Sequence, residues 1–343
     1  MMRENTRLIT YTAAHLLTDF GCAFFVFSAE ISANESVIFL ILYNFCAFAL
    51  QMPLGLVADK LNRNAPLASA GLLLIAICPI LMTQPLLMAV VAGVGNALFH
   101  VGGGLDVLND CKQKSGRLGV FVSSGALGLF LGAMAAKAVP SFLVSLILVV
   151  TAVMVLLLCG EAKRAFLSDN APLEAQRLSV GAILRVVLLL TVVVLRSYVG
   201  TIAAFEWKQG LWAWIAISAV VLGKAAGGFT ADRVGLKATA MVSLGAAAVL
   251  FLFSDRALLG SAALLLFNMT MPITLFEIAR ILRFMKGFSF GLLTFGLFLG
   301  VLPGILGMEA PLATPWGLAF LTLLSLVLLI FGLKGEGKHG AVS

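Results

Sequence analysis

The string GLVADK at residues 55–60 recurs as GFTADR at residues 228–233, so both copies share the pattern G-x-x-A-D-[KR]. The copies start 173 positions apart, at Gly55 and Gly228, and each closes an apolar stretch that a short polar connection follows. In a chain of 343 residues, this offset divides the sequence into halves of similar length. A motif that returns at the same place in each half indicates a duplicated bundle of helices.

The composition around these strings is typical of an integral membrane protein. Hydrophobic residues make up 61% of the chain and charged residues 11%, with a mean hydropathy of +1.08, whereas soluble domains average about 45–50% and about 25%. This composition excludes a soluble enzyme. Segments such as SLILVVTAVMVLLL at residues 145–158 are apolar on every face, which predicts helices and excludes the alternating pattern of a transmembrane β-strand.

Turn residues and charges divide the chain into twelve apolar stretches that are long enough to span a bilayer. If both termini face the cytoplasm, 18 of the 23 Lys and Arg residues lie on the cytoplasmic side and three on the outer side, as the positive-inside rule requires. We therefore predict an all-α polytopic protein of the bacterial inner (cytoplasmic) membrane, and the short connections leave no room for a soluble domain. The predicted spans are residues 8–29, 35–58, 65–83, 86–108, 117–137, 140–160, 180–203, 208–230, 237–254, 257–279, 286–307 and 315–333.

The longest polar connection covers residues 161–179 and separates the sixth stretch from the seventh. We predict an N-terminal six-helix bundle at residues 1–160, a cytoplasmic linker at 161–179 and a C-terminal six-helix bundle at 180–343. The basic amino terminus lacks a small-residue cleavage site, so the first helix is predicted to be retained. The five cysteines are scattered without CxxC spacing, which indicates packing residues and neither disulfides nor a zinc site.

With these features together, the chain resembles the major facilitator superfamily, whose signature G-x-x-x-D-[RK]-x-G-[RK]-[RK] follows the second helix and, more weakly, the eighth. GLVADKLNRN departs from this signature at Asn62 and Asn64, and GFTADRVGLK departs at Leu236. The resemblance implies two pseudo-symmetric bundles around a central cavity, with a cytoplasmic gate that latches the outward-facing state. The gate residues that it implies are Gly55, Asp59, Arg63, Asp110, Gly228, Asp232 and Arg233.

The residue types of this gate suit a contact between helix ends. Glycine lets a neighbouring helix approach closely, and a carboxylate is stabilised at the positive amino end of a helix. The bases can bridge to acids at adjacent cytoplasmic ends. We expect Arg63 to pair with Asp110 or Asp106 at the end of the fourth helix.

Two further segments resemble one branch of this superfamily. HLLTDF at residues 15–20 and GVGNALFHVGG at residues 93–103 are similar to the H-x-x-x-D and FH-containing segments of the fosmidomycin-resistance-like drug exporters within the superfamily. This chain has Val101 where that branch usually has proline. The resemblance implies efflux, without naming a drug.

Ionisable side chains at membrane depth are costly and mark a pathway. His15 and Asp19 lie four residues apart and share one face of the first helix, as Asn96 and His100 do on the fourth. The resemblance implies that both helices line the central cavity. We predict proton coupling through Asp19, His15 and His100, with Asn96 and His100 also available to a substrate.

The C-terminal half contributes Arg196 in the seventh helix, Lys224 in the eighth and Asn268 in the tenth. Arg196 and Asn268 are predicted substrate-binding residues, because a cavity wall tolerates polar groups that lipid does not. The cations slightly favour an organic anion as substrate. Asp19 with two imidazoles could instead bind a divalent metal or an organic cation, so both substrate classes stay open.

The sequence thus predicts a secondary active transporter that moves a small solute by alternating access. We expect it to export an organic anion or drug with protons as the coupling ion. The absence of GxSxG, HExxH and Walker strings argues against an intramembrane enzyme or an ATP-driven pump, and short connections argue against a non-transporting receptor. We expect no cofactor, no resident metal, no catalytic residue and no nucleic-acid partner. The predicted partners are a small-molecule substrate, protons and the lipid bilayer, and the chain is expected to act as a monomer.

Overall fold

The computed structural model describes residues 2–112, 114–160, 178–308 and 310–334, and all regular secondary structure within these ranges is helical. We number twelve helical segments in chain order and treat a segment with a local irregularity as one helix. They are α1 Met2–Ser28, α2 Ser36–Leu61, α3 Asn64–Ala76, α4 Pro85–Asp110, α5 Gly116–Ala135, α6 Ser141–Cys159, α7 Val180–Ile202, α8 Gly210–Val234, α9 Leu236–Phe251, α10 Ala257–Ile281, α11 Lys286–Ile305 and α12 Pro315–Gly332.

Ten of these segments are long and apolar enough to cross a membrane, which confirms a helical protein with many spans. The other two, α3 and α9, are apolar but shorter. The predicted third span, residues 65–83, is shorter because the α-helix stops at Ala76 and a 3₁₀ turn follows at Cys78–Leu81. Pro79 lies in that turn, and a proline disfavours helical geometry in the residue before it. The count of twelve membrane crossings therefore stays a prediction.

Two helices contain local irregularities. A π-helical turn, Phe45–Ala49, interrupts α2. The α10 segment is broken between Asn268 and Met271, and Pro272 stands in the first turn of its second part. Proline cannot donate the backbone hydrogen bond that would continue the helix, which accounts for this break.

The helices before the linker contact one another, and so do those after it. The largest contacts between the two groups join α2 to α11 and α5 to α8. All five cysteines are buried and free, as their spacing predicts. Residues 161–177 of the predicted linker lie outside the described residues, so the division into two domains stays a prediction.

Close packing of α1 on α5 depends on small residues. A Cβ atom added at Gly128 would collide with the backbone carbonyl of Leu16 and lie 3.1 Å from the backbone nitrogen of Phe20. Backbone atoms cannot move aside as a flexible side chain can. The glycine therefore sets the distance between these two helices.

We expect Gly128→Ala to lower the apparent melting temperature of the purified protein, because overpacking typically costs about 1–3 kcal/mol. Gly245→Ala on α9 is the matched control, since a Cβ atom there meets nothing within 4 Å. A thermal unfolding scan in detergent measures both. Equal melting temperatures for the two variants would contradict the importance of this contact.

Candidate functional site

The first polar cluster lies between α1 and α4 and contains His15, Asp19, Asn96 and His100, all buried. The Nε2 atoms of His15 and His100 are 2.9 Å apart. The Asp19 carboxylate places Oδ2 3.3 Å from Nε2 of His15 and Oδ1 3.6 Å from Nε2 of His100. The structure thus brings together the four side chains that the two i,i+4 pairs predicted, while their roles stay predictions.

In both histidine rings, Nδ1 lies within hydrogen-bond distance of a backbone carbonyl oxygen. Nδ1 of His15 lies 2.8 Å from the carbonyl oxygen of Phe121 on α5, and Nδ1 of His100 lies 2.9 Å from the carbonyl oxygen of Asn96. The Asn96 side-chain amide donates to Oδ1 of Asp19 at 3.1 Å and to Sγ of Cys22 at 3.5 Å. The rings are therefore fixed in orientation, with both Nε2 atoms turned toward the carboxylate.

A glycine on α5 makes room for this cluster. A Cβ atom at Gly125 would collide with the Asp19 carboxylate and the His15 ring. Phe99, Phe121 and Phe290 pack against the two imidazoles. The apolar walls limit competing hydrogen bonds and strengthen electrostatic interactions inside the cluster.

The second polar cluster surrounds Arg196 on α7, which is 7% exposed. Its NH2 nitrogen donates to Oγ1 of Thr270 at 2.6 Å, and its NH1 nitrogen makes a longer contact of 3.4 Å with Oγ1 of Thr274. Its Nε has no hydrogen-bond partner, and no carboxylate of the described residues forms an ion pair with it. A buried guanidinium without a counter-ion favours an anion.

Lys224 on α8 is a cation near both clusters. Its side chain is half-buried, and its ammonium group is within electrostatic range of both Asp19 and Arg196. Asn268 was also predicted to bind substrate. Its side-chain amide donates to the carbonyl of Leu264 on its own helix at 2.8 Å. Its role in substrate binding stays a prediction.

The two motif copies contact helix amino ends in the other half of the chain. Asp59 at the end of α2 accepts hydrogen bonds from the backbone N–H groups of Gly287 at 2.8 Å and Phe288 at 2.9 Å, at the start of α11. Asp232 at the end of α8 accepts from the backbone N–H groups of Ser115 at 2.6 Å and Gly116 at 2.9 Å, at the start of α5. We call these two contacts the paired caps.

Small residues permit the paired caps. A Cβ atom at Gly55 would collide with the backbone of Gly287, and one at Gly228 would lie 2.9 Å from the Cα atom of Gly116. A helix amino end carries a partial positive charge and unsatisfied N–H groups, which a carboxylate neutralises. The glycines of the motif thus bring each aspartate within reach of its helix.

The expected pairing of Arg63 with Asp110 or Asp106 is wrong. Asp110 forms an ion pair with Arg7 of α1, with NH2 of Arg7 2.7 Å from Oδ1. Asp106 accepts hydrogen bonds from the Tyr11 hydroxyl at 2.7 Å and from the Asn64 amide at 2.6 Å. Partners on α1 and at the start of α3 are closer to these carboxylates, and Arg63 is exposed, as Arg233 also is.

A buried acid in the C-terminal half is not identified by the sequence patterns above. Glu277 on α10 is 0% exposed and forms ion pairs with Arg185 of α7 and, at 2.8 Å, with Arg280. In the sequence, both arginines contribute only to the count of basic residues that predicts the membrane orientation of the chain. The i,i+3 spacing of Glu277 and Arg280 was the available signal, whereas nothing local identified Arg185.

The first cluster contains three side chains of types that bind metal ions. Ligand atoms of His15, Asp19 and His100 all lie within 4.8 Å of one another. Two imidazole nitrogens on one tetrahedral zinc ion lie about 3.3 Å apart, given Zn–N bonds of about 2.0–2.1 Å, whereas here they are 2.9 Å apart. The arrangement therefore fits a proton between the rings better than a metal ion.

Solved structures share this arrangement of helices. A crystal structure of the major facilitator superfamily transporter FucP in the outward conformation matches with a TM-score of 0.61 at 14% identity, covering 94% of this chain and 98% of that chain. A variant of the E. coli fucose:proton symporter FucP matches with a TM-score of 0.60 at 15% identity, covering 96% of each chain. No family model and no curated protein sequence matches this chain. The chain therefore has the fold of major facilitator superfamily transporters, and its relation to the fosmidomycin-resistance-like branch stays a prediction.

Proposed function

We propose that this protein is a secondary active transporter of the bacterial inner membrane that moves a small organic anion by alternating access. The observation that carries the proposal is the pair of buried polar clusters at membrane depth, one on each half of the chain, with Lys224 in electrostatic range of both. Ionisable groups are retained at that depth when they serve a pathway. The shared fold with solute transporters supports the same function.

Alternating access requires a contact between the halves that can open. The paired caps can open, because each consists of one carboxylate hydrogen-bonded to backbone N–H groups at a helix amino end. With the termini in the cytoplasm, the paired caps would close the cytoplasmic side. Rocking of the two bundles would break both caps together.

The substrate class follows from the second cluster. Among the described residues, Nε of Arg196 is a buried donor without a partner, and Thr270 and Thr274 hold the guanidinium in place. A carboxylate or phosphonate group would satisfy that donor and supply the missing counter-charge. Export of such a solute would use the proton gradient through Asp19, His15 and His100. The protein would act as a monomer in the bilayer and without a cofactor.

A thermal-stability screen of the purified protein tests this substrate class, since a ligand of the folded state raises the apparent melting temperature. The panel contains small organic anions, organic cations and divalent metal chlorides. We expect stabilisation by anions, lost in Arg196→Gln. Stabilisation by divalent metals alone, lost in His100→Gln, would replace the anion proposal with a metal transporter.

We expect Asp59→Asn to shift the population toward inward-facing conformers without preventing insertion. A carboxylate at a helix amino end contributes about 0.3–2 kcal/mol, so one cap changes the equilibrium roughly two- to thirty-fold. Asp232→Asn should act similarly, and the double variant more strongly. The reporter is a cysteine at buried Ser123, in a background without the five native cysteines, labelled from the cytoplasmic side.

The control for this experiment is Arg283→Gln, which changes an exposed charge on the connection between α10 and α11. Its labelling rate should match that of the parent. Unchanged labelling and unchanged transport in both aspartate variants would show that the motif has no role as a gate and only determines the membrane orientation of the chain.

A further inference from the structure

The hydrogen bonds of the two imidazoles determine where their protons lie. A backbone carbonyl oxygen can only accept, so the carbonyls of Phe121 and Asn96 require a hydrogen on Nδ1 of His15 and on Nδ1 of His100. A neutral imidazole carries one N–H. If both rings were neutral, both Nε2 atoms would be bare acceptors.

Those two Nε2 atoms face each other at 2.9 Å, which is a hydrogen-bond distance. Two lone pairs at that distance repel, and the Asp19 carboxylate adds a third acceptor at 3.3 and 3.6 Å. The only donor to this group in the described residues is the Asn96 amide, which binds Oδ1 of Asp19. The cluster is therefore one hydrogen short of a satisfied arrangement.

We infer that His15 and His100 share one proton between their Nε2 atoms, with Asp19 as its counter-charge. This rests on the proposed function and identifies the coupling proton as the shared one. On loading, an N–H bond forms on one Nε2 while the other accepts it, and the cluster changes from a net charge of −1 to zero. On release, that N–H bond breaks and the proton passes to water, directly or by way of the Asp19 carboxylate, so that the net charge returns to −1.

The surroundings of the pair contain few other ionisable groups. On α1 these are Asp19 and Cys22, whose thiol contacts Asn96 and not the rings. Helices α5 and α11 present Phe121, Gly125 and Phe290 to the rings, none of which titrates. Tyr43 on α2 and Lys224 on α8 are within electrostatic range of Asp19. One carboxylate therefore balances one shared proton. Lys224 is within electrostatic range of both Asp19 and Arg196, so it can transmit the charge state of the second cluster to the first.

Nitrogen-15 NMR of histidine-labelled protein in lipid bilayers tests this inference directly. The chain has only three histidines, so His339→Gln leaves two rings to observe. We expect both Nδ1 nitrogens to be protonated and both Nε2 signals to lie between the protonated and unprotonated positions. Both signals should move together on titration, with uptake of one proton per chain. In His100→Gln, the remaining His15 ring should lose the intermediate Nε2 signal and titrate alone.

Two fully unprotonated Nε2 signals across the pH range of activity would overturn the inference, as would two independent titrations. The spectra need no transport assay. If the spectra show a shared proton but transport does not depend on pH, the proposed proton coupling is contradicted and the shared proton is supported.

Discussion

Asp19→Asn is expected to abolish substrate accumulation or extrusion driven by a pH gradient while substrate-for-substrate exchange persists at a reduced rate. The carboxylate is 7% exposed and contacts both imidazoles. An amide in its place has no charge to balance a proton on the rings, so the cluster can no longer load and unload one in each cycle. Exchange requires no net proton movement.

Flux into proteoliposomes with an imposed pH gradient measures this effect. Thr18→Ala is the matched control, because Thr18 is a buried neighbour on α1 whose hydroxyl donates to Ala14 of its own helix. The control should retain gradient-driven flux. If the Asp19→Asn protein still concentrates substrate in response to pH, the coupling site lies elsewhere or the driving ion is not the proton.

Arg196→Gln is expected to weaken binding of an organic anion by about 10- to 100-fold. Hydrogen bonds to charged groups contribute about 1.5–3 kcal/mol, and each 1.4 kcal/mol is a factor of ten in affinity. Folding should change less than binding, because the buried cation has no carboxylate partner in the described residues that its loss would leave unpaired. Isothermal titration calorimetry with the anion found in the stability screen measures the loss.

Two further variants separate charge from geometry. Arg196→Lys keeps a cation and should retain part of the affinity, although it cannot reproduce the guanidinium geometry. Arg256→Gln removes an exposed arginine before α10 and should bind like the parent. Normal binding by Arg196→Gln would exclude the second cluster as the anion site.

Much of the helical structure follows from the sequence alone. Apolar length and the placement of charges are local properties, and ten of the twelve predicted spans have the length and composition to cross a membrane. The i,i+4 spacing of His15 with Asp19, and of Asn96 with His100, fixes a common face on each helix. The repeated motif also marks Asp59 and Asp232 as residues at helix ends.

The contacts of these residues required the tertiary structure. Asp59 caps a helix whose first N–H group lies 228 positions later in the chain, and no local pattern names that partner. For the same reason Asp110 pairs with Arg7 and not with Arg63, and Glu277 pairs with Arg185. Hydropathy and spacing determine which residues enter the membrane and which face they share, because they act over a few turns of one helix. The approach of one helix to another, set by glycines such as Gly125 and Gly128, determines which charges meet and brings two imidazoles within reach of a single proton.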